Sequence, residues 1–259
     1  MRFYSLAPAI LALAFSVTTA AAASLQQVTT NFGSNPTNVG FYIYVPNKVA
    51  TKPAIIVAIH YCSGTAQAYY TGTQYAKLAE TYGFIVIYPN APTAGGCWDV
   101  ATTATLTHNA GGDSLGIASM VRYTLTTYNG DASKVFMTGT SSGAMMTNVL
   151  AGAYPDLFVA GAAFSGVPYG CFAGPSAWNS QCSQGQLIKT GQAWGDQVRS
   201  GYPGYTGSRP RLQMWHGTAD TTLYYQNLVE ENKECESEKS LTLSGADICR
   251  VKCLRNLTR

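Results

Sequence analysis

Charged side chains are scarce in this chain, and their scarcity excludes one class of partner. Of the 259 residues, 16 are Lys or Arg and 13 are Asp or Glu, so the formal net charge is +3. The positive charges are dispersed, and no Lys/Arg run or basic helix is present that could follow a phosphate backbone. The sequence therefore predicts that nucleic acid is not a partner.

Apolar runs long enough to cross a membrane are also missing, since no segment reaches about 18 apolar residues. The N-terminus instead combines Arg2, an apolar stretch over residues 6–17 and small residues that end at Ala23. This pattern is typical of a secretory signal peptide. We expect residues 1–23 to be a signal peptide and the mature protein to be secreted, extracellular and free of membrane attachment.

Metal-binding motifs are absent as well, because no C-x-x-C pair or H-E-x-x-H occurs. The seven cysteines have another use, since secretion permits disulfides. The four cysteines in the body of the chain could pair among themselves in three ways. Pairing Cys171 with Cys182 closes a short loop and would leave Cys62 for Cys97.

Strand-like and helix-like segments alternate along most of the chain. Continuous apolar runs at residues 54–59 and 84–88 predict strands that are covered on both faces. Helices are predicted over residues 67–82 and up to Thr127, the second capped by Asp113 or Ser114. This alternation is typical of an α/β fold, a mostly parallel sheet flanked by helices.

The composition changes sharply near residue 230. Residues 230–259 hold 12 of the 29 charged side chains and have no apolar period. We therefore expect one domain over residues 24–229, followed by a tail that is disordered or an artefact of the gene model.

A G-x-S-x-G motif at residues 139–143 carries the clearest chemical signal. A short β-prone run precedes it and a helix-prone run follows it, which is the setting of a nucleophile elbow. In such an elbow Ser141 would be the nucleophile, and the backbone N–H of Ser142 would face the developing oxyanion. The alternative is an ordinary Gly/Ser turn.

A serine nucleophile needs a base, which is usually a histidine steered by a carboxylate. Asp220 follows an apolar strand, where catalytic groups of such sheets gather, and is the candidate acid. It could instead cap its own turn. The fold's usual order of serine, acid and histidine places the base after Asp220, but no histidine lies there, and none of His60, His108 and His216 is a convincing base.

Two loops complete the predicted site. His60 follows the 54–59 strand, in the loop where this kind of fold supplies a second oxyanion N–H, here from Cys62. Trp98 lies in a Gly-rich loop and could stack on a sugar ring. We therefore take Trp98 and His60 as candidate substrate-binding residues, with packing against the disulfide and burial in the core as the respective alternatives.

These motifs together resemble the secreted fungal acetylxylan esterases of carbohydrate esterase family one, which are related to feruloyl esterases and polyhydroxybutyrate depolymerases. The matching segments are residues 35–40, 42–46, 58–62, 95–100, 105–109, 141–148, 207–211 and 216–224. The resemblance implies an α/β-hydrolase fold and removal of acetyl groups from acetylated xylan, with no metal or organic cofactor. It implies Ser141 as nucleophile and Asp220 as triad acid, and we expect a monomer.

The chain departs from the family after the Asp220 region, where the family continues with a strand, a helix and the triad histidine. We expect that final strand and helix to be missing here, with a misread exon boundary, a retained intron or a frameshift as the cause. A polypeptide without the histidine would fold poorly and have little activity. Two alternatives stay open: a feruloyl or polyhydroxyalkanoate esterase, and a non-catalytic xylan-binding relic that uses Trp98 and the tyrosines.

Overall fold

The structure, a computed structural model, describes residues 23–239 and the backbone of residues 249–254, so the predicted signal peptide lies outside the described residues except for Ala23. The strands are β1 (Gln26–Gln27), β2 (Gly40–Tyr44), β3 (Ile55–Ile59), β4 (Ile85–Asn90), β5 (Val135–Thr140), β6 (Ala160–Phe164), β7 (Arg211–Gly217) and β8 (Cys249–Leu254). The helices are α1 (Ala66–Gly72), α2 (Tyr75–Tyr82), α3 (Thr103–Leu106), α4 (Gly112–Thr127), α5 (Ser142–Ala153), α6 (Ser180–Ser183), α7 (Gly191–Ser200) and α8 (Gln226–Lys239).

Within the described residues the strands form one sheet in the order β1-β2-β4-β3-β5-β6-β7-β8. The pairs β1–β2 and β2–β4 are antiparallel, and the pairs from β4 through β8 are parallel. This is the predicted α/β-hydrolase fold. Because parallel strands end at the same edge, the segments that follow β3, β5 and β7 lie along one side of the molecule.

Helices cover the two faces of the sheet unequally. Helix α1 packs on β3 and β4 and helix α2 packs on β4, whereas α5 packs on β3, β5 and β6. The two faces of β5 differ accordingly: the Thr138 hydroxyl lies 3.3 Å from the Tyr75 hydroxyl of α2, and Gly139 contacts α5. Among the described residues, no helix is long and apolar enough to cross a membrane.

On the α1–α2 side, no helix of the described residues packs over β5 and β6. A groove of about 260 Å³ opens there. Its lining includes the half-buried rings of Phe136 and Phe164 and the wall formed by Tyr75. The face of β5 and β6 on this side is therefore open.

Two helix predictions need correction. The helix predicted over residues 67–82 is divided into α1 and α2, because the backbone is extended at Thr73 (φ −124°, ψ 167°). Helix α4 is preceded by Gly111 at its N-cap, not by Asp113 or Ser114. Asp113 lies inside the first turn, where its carboxylate accepts hydrogen bonds from the Asp99 N–H and the Thr37 hydroxyl.

The charged segment after residue 229 is folded as far as residue 239, contrary to the expectation of a disordered tail. Three glutamates of α8 are buried, and each accepts a hydrogen bond from a neighbouring segment. The donors are Trp194 Nε1 for Glu230 (2.9 Å), Asn148 Nδ2 for Glu231 (2.6 Å) and the Tyr169 N–H for Glu234 (2.8 Å). An apolar period was not needed, because polar contacts hold this helix against its neighbours.

The prediction of a missing C-terminal strand and helix is also wrong for the described residues. Besides α8, strand β8 pairs in parallel with β7, with Leu212 opposite Cys249 and Gly217 opposite Leu254. The added strand supplies hydrogen-bond partners to the edge of β7 that would otherwise be open.

Candidate active site

Ser141 lies at the junction of β5 and α5 in an unusual backbone conformation. Its φ of 54° and ψ of −120° fall outside the low-energy regions of L-residues. The Ser141 N–H donates to the Phe164 carbonyl at 2.8 Å, and the Ser141 carbonyl accepts from the Met145 N–H at 2.9 Å. The backbone on both sides is thus fixed, and a half-buried hydroxyl is held at the carboxyl edge of the sheet. The predicted strand-turn-helix is present.

The two glycines of the motif are required by space. A Cβ on Gly139 would lie 2.2 Å from the Gly143 carbonyl oxygen. A Cβ on Gly143 would lie 2.2 Å from the Ile59 carbonyl oxygen. Only glycine at both positions lets α5 begin directly against β3 and β5.

Two backbone N–H groups are available near this turn. The Ser142 N–H lies in the first turn of α5, where backbone donors have no partner within the helix. The Cys62 N–H lies in the loop after β3 and donates to no acceptor among the described residues.

A disulfide joins Cys62 to Cys97, and a second joins Cys171 to Cys182, so the predicted pairing is confirmed.

The structure corrects the substrate-binding role of Trp98. Its side chain is only 4% exposed, and its indole N–H donates to the His60 carbonyl at 2.8 Å. The backbone N–H of Trp98 donates to the Ser142 hydroxyl at 2.9 Å. A ring enclosed in this way has no free face for a sugar, so Trp98 is a packing residue of the loop.

His60 is likewise not a substrate contact, because it is 0% exposed. Its Nδ1 lies 2.8 Å from the Tyr61 carbonyl oxygen, and its Nε2 accepts from the Ala91 N–H at 3.1 Å. Burial lowers the pKa of the ring, which keeps His60 neutral. His60 is buried in the core, which was the alternative to substrate binding, and it shapes the loop before Cys62.

Asp220 follows β7 at the same edge of the sheet. Its Oδ1 accepts from the N–H groups of Thr222 (2.9 Å) and Leu223 (3.0 Å), so it does cap its own turn. Its Oδ2 lies 3.5 Å from His216 Nε2, and its side chain is 21% exposed. His216 is buried and braces this turn, with Nε2 at 2.7 Å from the Leu223 carbonyl oxygen. One carboxylate oxygen therefore orients the turn, and the other has solvent on one side.

Among the described residues, none of the three histidines hydrogen-bonds the Ser141 hydroxyl. His60 and His216 hold their own loops, and His108 Nδ1 lies 2.6 Å from the Ala153 carbonyl oxygen and stacks on Tyr202. In the same part of the chain, no group of three or more His, Cys, Asp or Glu side chains is placed to hold a metal ion. The described site thus has a serine hydroxyl, backbone donors and a carboxylate, and none of its histidines lies in hydrogen-bond contact with that hydroxyl.

Several aromatic residues at this edge were not predicted. Tyr61 precedes Cys62 and is 42% exposed, and Trp178 in the disulfide-closed loop is 51% exposed. Tyr61 also lines a cleft of about 390 Å³ with Tyr69 and Phe164, beside Thr140. The chain's 17 tyrosines were the only sequence signal for this surface, because periodicity does not tell which rings a loop leaves uncovered.

The sequence profile of the esterase PHB depolymerase family matches residues 39–186, which include the β3 loop and the Ser141 turn. The chain belongs to this esterase family.

Two relatives that match over most of this chain are fungal proteins. Probable acetylxylan esterase A of Aspergillus fumigatus is 62% identical over 215 residues, which cover 82% of this chain and 58% of that protein. Acetylxylan esterase A of Emericella nidulans is 61% identical over 214 residues, covering 81% of this chain and 70% of that protein. The chain thus spans less than two thirds of the A. fumigatus relative.

Solved structures agree with the fold assignment. Acetyl xylan esterase from Aspergillus awamori superposes with a TM-score of 0.82 at 56% identity, over 84% of this chain and 80% of that one. A thermostable esterase at 14% identity superposes with a TM-score of 0.56, over 91% of this chain and 55% of that one, and supports the fold alone.

Proposed function

We propose that residues 24–229 form a serine esterase domain that removes acetyl groups from acetylated xylan. The observation that carries the proposal is the strained Ser141 just before α5. The N–H groups of Ser142 and Cys62, which have no acceptor among the described residues, lie nearby. The names of the relatives from A. fumigatus, E. nidulans and A. awamori support acetylated xylan as the substrate.

In the proposed reaction the Ser141 oxygen attacks the acetyl carbonyl, and the carbonyl oxygen takes up negative charge opposite the two N–H donors. Collapse of this intermediate expels the xylan oxygen, which takes up the proton that Ser141 lost and becomes a hydroxyl, and leaves an acetyl ester on Ser141. Water then attacks that ester and releases acetate and a proton. Asp220 would orient the base that moves these protons.

In the polypeptide of residues 24–259, no histidine hydrogen-bonds the Ser141 hydroxyl, so we expect slow turnover. Loss of the triad base costs roughly 10⁴- to 10⁶-fold in rate. Hydrolysis of 4-nitrophenyl acetate by the purified polypeptide and by its Ser141→Ala variant tests the proposal. Rapid hydrolysis that survives Ser141→Ala would refute the role of Ser141.

A second candidate function differs in the acyl group. The family profile carries the name PHB depolymerase, which favours hydroxybutyrate esters, and feruloyl esters remain a further option. Relative rates on acetyl, feruloyl and hydroxybutyrate esters of one alcohol would separate these substrates. A xylan-binding relic loses its main support, since Trp98 is buried. Retention on insoluble xylan without any Ser141-dependent hydrolysis would restore it.

We further propose that the protein is secreted, extracellular and monomeric, as expected from residues 1–23 and supported by its disulfides. N-terminal sequencing of protein from the culture medium and light scattering would test these points. The origin of residues 230–259 remains a proposal as well, tested by comparing the transcript with the genomic locus.

A further inference from the structure

The hydroxyl of Ser142 makes a contact that its helix does not need. Ser142 Oγ accepts the Trp98 N–H at 2.9 Å, although the two residues are 44 positions apart in the chain. The Ser142 side chain is 3% exposed, so water does not compete for this hydrogen bond. The residue after the nucleophile is thereby tied to a loop that follows a different strand.

Trp98 also contacts the loop after β3. Its indole N–H donates to the His60 carbonyl at 2.8 Å, and its ring centroid lies 4.9 Å from that of His60. Both side chains are buried. Trp98 thus bridges the start of α5 and the first residue of the loop that carries Cys62.

The loops after β3 and β4 are also joined to each other by further contacts. The Cys62–Cys97 disulfide holds their Cα atoms 4.1 Å apart, and the Ser63 N–H donates to the Gly95 carbonyl at 2.8 Å. A Cβ on Gly96 would lie 2.8 Å from the Gly64 carbonyl oxygen, so the backbones touch. Residues 60–64 and 95–98 therefore behave as one unit, which we call the loop pair.

We propose that the Ser142 hydroxyl is a positioning group that fixes the loop pair, and with it the Cys62 N–H, relative to the N–H of Ser142 itself. The inference rests on the proposed function, in which these two N–H groups bind one oxyanion. Such donors act only at about 2.7–3.1 Å from that oxygen, so a small drift of the loop pair would remove one of them. The hydroxyl therefore serves the reaction through Trp98, without touching substrate.

Hydrogen exchange of single amides tests this proposal in residues 24–259. Ser142→Ala keeps the backbone N–H but removes the acceptor of the Trp98 N–H. The informative amide is that of Ser63, which donates across the loop pair to the Gly95 carbonyl and not to Ser142. We expect its exchange to become about fivefold faster, the effect of losing one buried hydrogen bond. The Ile55 amide, bonded to Lys134, should not change.

Ser119→Ala is the matched control, since it removes another buried hydroxyl, which donates to the Ser34 carbonyl at 2.7 Å in a different part of the domain. It should leave the Ser63 amide unchanged. Ser142→Thr, which restores a hydroxyl, should restore the slow exchange. An unchanged Ser63 amide in Ser142→Ala, or equal acceleration in Ser119→Ala, would overturn the proposal.

A second variant covers the case in which the Ser142 substitutions fail to fold. Trp98→Phe keeps a ring against His60 but removes the indole donor, and it should accelerate the same Ser63 amide. In the double variant with Ser142→Ala, the Ser63 amide should be accelerated by less than the product of the two single accelerations, because both substitutions break the same chain of contacts. An acceleration equal to that product would show that the two substitutions act independently and would contradict the proposal. These measurements need no turnover, so they can fail while the Ser141 test succeeds, or the reverse.

Discussion

Glu231 gives the most quantitative prediction, because its carboxyl is buried without a compensating cation from the facing helix. It is 2% exposed, and its Oε1 accepts from Asn148 Nδ2 at 2.6 Å. Helix α5, which carries Asn148, has no charged side chain. Arg209 and Glu234 line the same small cavity. Burial raises the pKa of Glu231 to about 8, and the hydrogen bond from Asn148 offsets only part of this effect.

The sign and size of the effect on stability follow from the two pKa values. Below pH 4.5, the ordinary value, Glu231 holds its proton in both the folded and the unfolded state, and stability is unaffected. Between pH 4.5 and about 8 the unfolded chain has lost the proton and the folded protein keeps it. The free energy of unfolding then falls by about 1.4 kcal/mol per pH unit, which amounts to about 3 kcal/mol at pH 7. Above the folded pKa the loss levels off.

Glu231→Gln removes the titrating carboxyl while keeping the shape of the side chain and the oxygen that accepts from Asn148. Urea unfolding at pH 4.5 and pH 8 should show the variant gaining about 3 kcal/mol or more over the parent at the higher pH, relative to the lower. Glu236→Gln is the control, since Glu236 is exposed on the same helix and its replacement should change stability by less than about 0.5 kcal/mol at either pH. If Glu231→Gln shifts stability equally at both pH values, the account of a buried neutral carboxyl is refuted.

Two further predictions concern packing at the elbow and on the open sheet face. Gly143→Ala should destabilise the protein by about 3 kcal/mol or more, because the new Cβ would meet the Ile59 carbonyl, whereas Gly72→Ala, with open space around it, should be near neutral. Urea unfolding of both variants checks this, and similar values would contradict it. Phe136→Thr, on the uncovered face, should lower binding of the dye ANS and cost less than half as much stability as Phe41→Thr, which opens a core cavity at a cost of about 3–5 kcal/mol. Unchanged dye binding would mean that this face is covered.

Much of the fold could be predicted, because the signals were local. The apolar runs around residues 54–59 and 84–88 are β3 and β4, and the G-x-S-x-G motif lies at the β5–α5 junction as expected. The short spacing of Cys171 and Cys182 favoured, among three possible pairings, the one that the structure shows. Each of these inferences depends on neighbours in sequence or on one simple closure.

The predictions that were wrong concern residues whose contacts come from distant segments of the chain. Trp98 was predicted to bind a sugar because a Gly-rich loop suggests exposure. Its partners lie elsewhere in the chain: His60 follows β3, and Ser142 begins α5. Helix α8 looked patternless because its buried residues include Glu230 and Glu231, whose partners lie on other elements. Only the three-dimensional arrangement shows that such polar groups are satisfied.

We expect residues 24–229 to carry a working nucleophile and oxyanion site to which only a base must be added. A chimera joining residues 24–229 to the remaining C-terminal segment of the Aspergillus awamori esterase tests it directly. The chimera should hydrolyse 4-nitrophenyl acetate roughly 10³-fold or more faster than residues 24–259, and Ser141→Ala should abolish the gain. A folded chimera without Ser141-dependent hydrolysis would contradict the claim.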